Sequence, residues 1–259
     1  DGDGLQLLEK KGTSYYFANR HNDFRNSYPP TVLKTNCLYE DSSGNLWMGS
    51  SEGITVFPVD FSMTRFLKFF FYNPENTDME TSYISDIYQD RDGFMWFASF
   101  GGGIFNIPRK FQLGETPTIR TYSSENNRLS TDLVLSMHED SFGYLWIITE
   151  NAILKFNRYT GESESFGAVS GLNHFGFSKR AFIRTKDGNF VVGTNSGFYI
   201  LAPNKLKKSN YIPQVVFTRF QLFNKDIDFS SSDSPINTDI EDVKELDLNH
   251  NQSVFSIEY

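Results

Sequence analysis

Apolar positions in this chain gather into short runs closed by polar turns, and one such arrangement recurs. It reads Leu38-Tyr39-Glu40-Asp41-Ser42-Ser43-Gly44-Asn45-Leu46-Trp47-Met48-Gly49-Ser50, then Gly53-Ile54-Thr55-Val56-Phe57. A second copy spans Ile87 to Ser99 and Gly103 to Ile107, and a third Met137 to Thr149 and Ala152 to Phe156. A weaker fourth spans Ile183 to Thr194 and Gly197 to Ile200. The glycine of the shared turn, at 44, 93, 143 and 188, advances in steps of 49, 50 and 45 residues. Steps of that size match propeller blades of about 40–50 residues and exceed helical repeats of about 33–34.

Each unit has a physical reading. Asp at the first and Gly at the fourth turn position (Asp41/Gly44, Asp90/Gly93, Asp140/Gly143) is the preference of a type I turn. The carboxylate takes nearby backbone N–H groups, and Gly removes the Cβ clash. Apolar runs on both sides predict a hairpin joining a first and a second strand. Trp47, Trp96 and Trp146 lie three residues past the glycine, on strands apolar on both faces and so packed between layers. Fourth strands are expected within Arg65 to Tyr72, Ile119 to Tyr122 and Ser163 to Phe166. The pattern predicts an all-β chain, an incomplete β-propeller of about four blades of four-stranded antiparallel sheets; an ordinary sandwich is the alternative.

At the N-terminal end Gly4 to Leu8 reads as a third strand and Ser14 to Phe17 as a fourth, so the chain begins within a blade. A seven-bladed ring at this period needs about 340 residues, and propellers run from four to eight blades. The expectation is part of a larger propeller over 1–203, a polar linker at 204–212 and a separate β domain at 213–259. In that domain Pro213 to Phe223 and Glu245 to Leu248 read as strands. Phe255, Ile257 and Tyr259 then alternate with Val254, Ser256 and Glu258.

Composition narrows the chemistry. Among 259 residues 39% are hydrophobic and 16% aromatic, with 26 Phe, enough for a ring-rich core. A formal charge of −8 argues against a phosphate-binding surface and hence against nucleic acid. The single cysteine, Cys37, excludes an internal disulfide and any multi-cysteine metal site. No apolar run approaches the roughly 20 residues of a membrane helix, and the first residues lack a leader's charge and apolarity.

The copies resemble two-component regulator propeller repeats, whose signature runs Asp-x-x-Gly-x-Leu-Trp-x-Gly-Thr-x-x-Gly-Leu. Glu40 to Ile54 follow it nearly throughout. Ala98 and Ile148 replace the later glycine in two copies, and Val191 replaces the tryptophan in the Gly188 copy. Residues 213–259 resemble the start of the Ig-like Y_Y_Y domain that follows such propellers. The resemblance implies a non-catalytic periplasmic sensor fragment of a hybrid two-component system, responding to glycan fragments and signalling toward a membrane-bound histidine kinase. Its implied partners are an oligosaccharide, the remaining blades and a second propeller, with a homodimer through the C-terminal domain left open.

Catalytic chemistry finds little support. His138-Glu139-Asp140 shares its register with Tyr39-Glu40-Asp41 and so reads as a strand end entering a turn. Asp1-Gly2-Asp3-Gly4-Leu5 lacks the third oxygen ligand of a calcium loop. Gly101-Gly102-Gly103 reads as turn chemistry, since no helix follows to direct N–H groups at an anion. No metal or cofactor is expected. In a four-stranded meander the loops entering strand one and joining strands two and three emerge together. There Tyr83, Phe100, Glu150, Asn151, His174, Phe175 and Arg180 form the candidate ligand set, beside Asn36, Ser51, Glu52 and Asn195. Rings with amide and charged neighbours suit a pyranose, which shows both C–H and O–H surfaces. A glycan-active propeller hydrolase or lyase and a pure protein-interaction propeller are the rival readings.

Overall fold

The computed structural model describes residues 6–18, 35–59, 68–167, 176–206, 217–227, 234–235, 240, 243 and 245–258. The chain divides into two units, Asp1–Lys208 and Ser209–Tyr259. In the first unit β1 (Leu7–Lys11) pairs with β2 (Ser14–Ala18) as a hairpin. Three antiparallel meanders of four strands follow. The first sheet is β3 (Thr35–Glu40), β4 (Leu46–Ser50), β5 (Ile54–Phe57) and β6 (Phe70–Tyr72). The second is β7 (Ile84–Gln89), β8 (Met95–Ser99), β9 (Ile104–Ile107) and β10 (Arg120–Tyr122). The third is β11 (Val134–Glu139), β12 (Tyr144–Thr149), β13 (Ile153–Asn157) and β14 (Glu162–Phe166). A fourth sheet has three strands, β15 (Phe177–Arg184), β16 (Phe190–Thr194) and β17 (Gly197–Leu201). The expected outer strands are present as β6, β10 and β14, with 65–67 outside the described residues. This is an incomplete β-propeller. Among the described residues no helix is long and apolar enough to cross a membrane.

The repeat works by one mechanism used three times. Asp41, Asp90 and Asp140 each accept, through Oδ1, the backbone N–H groups two and four residues on, at 2.8–3.0 Å. Oδ2 accepts the indole N–H of Trp47, Trp96 or Trp146 at 2.8 Å in every case. The turn thus fixes the rotamer of a ring on the next strand. Gly44, Gly93 and Gly143 close these turns at φ of 82°, 87° and 91°, where any other residue is strained. In the fourth copy Thr185 Oγ1 accepts the Asn189 N–H at 3.1 Å, Gly188 keeps φ 81°, and no indole is needed at Val191.

The tryptophans build the spaces between sheets. Trp47 is 3% exposed and meets Phe97 at 5.7 Å between ring centroids. Trp96, 1% exposed, meets Phe156 at 5.8 Å, and Trp146, 0% exposed, meets Phe190 at 5.8 Å. Each ring therefore reaches from its own sheet into the next. Polar ties run the same way. Asn36 Nδ2 donates to the Ile84 carbonyl at 2.9 Å, and Ser85 Oγ donates to the Val134 carbonyl at 2.6 Å. Asn36 and Ser85 sit where the β3–β4 and β7–β8 registers slip by one residue, a bulge that turns the side chain toward the neighbour. Among the described residues, nothing buries the corresponding face of the fourth sheet. There Ile183, Val191 and Ile200 form the equivalent row, and Ile183 and Ile200 are 57% and 65% exposed.

The second unit departs from expectation. Its sheet runs β19 (Lys225–Asp226), β18 (Arg219–Leu222), β20 (Phe255–Glu258). Of the strand expected over Pro213 to Phe223 only Arg219–Leu222 pairs, and 213–216 lie outside the described residues. Glu245 to Leu248, expected as a strand, join no ladder among the described residues. The β18–β19 turn places Phe223 and Asn224 at φ 52° and 59°, a type I′ hairpin without the usual Asn-Gly signal. Arg219 holds the sheet with a two-pronged contact to Asp226 at 2.7 and 2.8 Å.

Candidate functional site

At the sheet end opposite the Asp turns, Tyr83 leads into β7 and Phe100 leaves β8. The Phe100 N–H donates to the Tyr83 carbonyl at 3.0 Å, which brings the two rings to 5.7 Å at 52°. Gly101 and Gly103, at φ 106° and 69°, wrap the next loop onto the Asp132 carbonyl at 2.9 and 3.2 Å. Across from this pair the register of β15 breaks between Phe177 and Phe182, with Arg180 at φ 57°. The bulge lifts Lys179 toward the second sheet. Its Nζ stands 4.7 Å from the Phe100 centroid, 5.3 Å from that of Tyr83 and 3.5 Å from the Tyr83 hydroxyl. A cation over two half-buried rings leaves an aromatic surface with a strong donor beside it.

Of the residues expected here, Tyr83 and Phe100 come together. Glu150 and Asn151 are exposed in the β12–β13 turn and make no hydrogen bond or ion pair with the ring pair. His174 and Phe175 lie outside the described residues. Arg180 is exposed, and its charge reaches inward to the Cys37 thiol. Lys179 was not anticipated. Its signal was two adjacent cations, Lys179-Arg180, inside a run otherwise reading as a strand.

Inward of this end the first strands carry buried titratable groups. Cys37, Asp86 and Ser136 share one register position, each directly after the bulge. Asp86 accepts from Ser136 Oγ at 2.6 Å and from the Met137 N–H at 2.9 Å. Burial raises the Asp86 carboxyl above its usual range, and these hydrogen bonds with His138 partly offset it. Burial also lowers His138, against the pull of Asp86. Burial first, then the Asp86 charge, push the Cys37 thiol up to about 12. A thiol raised on folding stabilises the fold below its unfolded value near 9 and loses that contribution as pH climbs toward 12. Denaturation at pH 8 and pH 10 therefore shows a stability loss of about 1 kcal/mol that Cys37→Ala removes. An unchanged slope in the variant refutes this assignment. Among the described residues no group of three or more His, Cys, Asp or Glu is placed to hold a metal ion.

Residues 31–52 and 78–101 match the family model described as two component regulator propeller. A relative from Formosa agariphila, histidine kinase P4, is 23% identical over 111 residues, 43% of this chain and 8% of the kinase. The extracellular domain assigned to the hybrid two component system BT4673 of B. thetaiotaomicron is similar at a TM-score of 0.64 and 22% identity. That match covers 79% of this chain and 27% of the domain. Virginiamycin B lyase of Staphylococcus aureus has a TM-score of 0.51 at 16% identity, covering 78% of this chain and 65% of the lyase. The chain thus spans a small part of the kinase and about a quarter of the sensor domain it matches. The structural likenesses establish the shared propeller fold. Parts of the first two complete sheets thus match the two component regulator propeller model, and the chain shares the β-propeller fold of these neighbours.

Proposed function

We propose that this chain is a non-catalytic, extracytoplasmic (periplasmic) sensor segment of a hybrid two-component system, and that the Tyr83–Phe100–Lys179 end contacts an oligosaccharide. The reading is carried by that juxtaposition: two ring faces for sugar C–H surface with an ammonium donor for hydroxyl or acidic groups. The family repeats, and relatives named as a histidine kinase and an extracellular sensor domain, support the signalling role. Residues 213–259 are then the start of a Y_Y_Y domain leading toward the membrane, with a second propeller and further sheets supplied by the parent protein.

A glycan-cleaving enzyme is less favoured for a specific reason. Hydrolysis needs two carboxyl groups converging on a scissile bond. Asp90, Asp92 and Glu139 do converge, but on Arg158, at 2.7, 2.7 and 3.4 Å, where their charge is already matched. Calorimetric titration of an oligosaccharide panel into the intact extracytoplasmic region tests the proposal. One glycan is expected to bind, with affinity reduced about tenfold or more by Tyr83→Ala or Phe100→Ala. Silence across the panel would favour a protein-interaction propeller, and turnover of any member would establish the enzyme.

A further inference from the structure

The spaces between successive sheets are filled differently toward the Asp-turn end. In each of the three four-stranded sheets one cross-strand row contains the tryptophan. It runs Tyr39, Trp47, Val56, Phe70 in the first sheet and Tyr88, Trp96, Asn106, Arg120 in the second. The outer half of the first row is apolar, and Phe111 and Leu113 pack into the same cluster. The outer half of the second row is Asn106 and Arg120, and here a cavity of about 390 Å³ stays open against the third sheet. Its walls are mainly the rings of Phe94, Trp96, Tyr122 and Tyr159. Trp96 and Tyr122 stack at 5.7 Å, and Tyr159 is fixed by its hydroxyl, which donates to Asp92 at 3.0 Å.

Two polar groups in this cavity have unused capacity. Asn106 is only 7% exposed, yet its carboxamide has no hydrogen-bond partner among the described residues. Its amide atoms are not sealed from solvent, so water serves them in the free protein, and a ligand entering the cavity can take that water's place. Arg120 lies directly opposite Asn106 on the neighbouring strand, its guanidinium 5.2 Å from the Tyr122 centroid, and makes no ion pair among the described residues. Arg158, also lining the cavity, is committed to its carboxylates and to the Gly143 carbonyl. Among the described residues lining the cavity, the positive charge without an ion pair is therefore that of Arg120.

We propose that this cavity binds a small aromatic carboxylate. Its ring lies among Phe94, Tyr122 and Tyr159, its carboxylate pairs with Arg120, and a ring hydroxyl or N–H meets the Asn106 amide. A volume of this size suits a one- or two-ring ligand. A pyranose would bring several hydroxyl groups into walls that are mainly aromatic, where among the described residues Asn106, Arg120 and the exposed Thr118 are the uncommitted polar side chains. The site is separate from the Tyr83–Phe100 end and does not rest on the reading proposed for it.

Titration of the whole chain with 4-hydroxyphenylacetate and with indole-3-acetate, followed by ligand-observed NMR and tryptophan fluorescence, tests this. Saturable binding is expected for at least one acid. Arg120→Gln, or replacing the acid with its neutral amide, weakens it about tenfold or more. Asn106→Leu weakens it further, while Lys186→Gln, which removes an exposed cation on the fourth sheet, leaves it unchanged. Absence of saturation with both acids at millimolar concentration overturns the proposal, as does an affinity indifferent to Arg120→Gln. Preferential saturation by glucuronate would overturn the ligand class.

Discussion

Arg158→Met is expected to cost the propeller unit about 3–5 kcal/mol, seen as a lower denaturant midpoint at unchanged slope. The side chain is 3% exposed and ties the second sheet to the third. It contacts Asp90 at 2.7 Å, itself 1% exposed, and Glu139 at 3.4 Å, and donates to the Gly143 carbonyl at 3.0 Å. Methionine fills much of the volume but leaves the Asp90 carboxylate buried without its cation, and an unmatched buried charge dominates the balance. Asp90 also anchors Trp96, so the damage spreads to the aromatic layer. Glu139 retains Arg91, whose backbone N–H donates to it at 3.0 Å, which limits the loss on that side. A change below about 1 kcal/mol would mean that water compensates Asp90, and the buried-pair account fails.

Trp146→Ala should be comparably severe, about 3–5 kcal/mol, visible as a drop in Tm of roughly 2–4 °C per kcal/mol for a unit of this size. Trp146 lies between Phe166 at 5.7 Å and Phe190 at 5.8 Å, fully buried. Its removal opens a cavity and takes the indole donor from Asp140. The register-equivalent Val191 sits on the uncovered face of the fourth sheet, so Val191→Ala should cost under about 1 kcal/mol. Equal losses at the two positions would contradict the inter-sheet packing described above.

The architecture was legible because it is written in residues that act locally. Asp41, Gly44 and Trp47 specify a turn, its closure and a ring position within seven residues, and the pattern repeats. The hydrogen bond from indole to carboxylate was not anticipated from the sequence. Asp at the turn was read as a backbone acceptor, which it is through Oδ1, while its second oxygen holds the tryptophan. The two-residue β19 is too short to show an alternation, and Glu245 to Leu248 alternate polar and apolar residues yet join no ladder, since alternation is local and pairing is not. Meander topology put Tyr83 and Phe100 at one sheet end but did not give their ring contact, which rests on the Phe100 N–H to Tyr83 carbonyl hydrogen bond. Lys179 did not follow from topology, since it reaches the rings only through a register break in β15. The Arg158 network joins it to Asp90, Asp92 and Glu139, which lie 68, 66 and 19 positions away, with no local pattern to betray it.

The register break in β15 has a consequence for how two sheets communicate. Lys179 belongs to the fourth sheet, yet its ammonium stands 4.7 and 5.3 Å from rings at the end of the second. A ligand that competes for this cation therefore acts on both sheets at once, which links occupancy of the ring surface to the spacing between them.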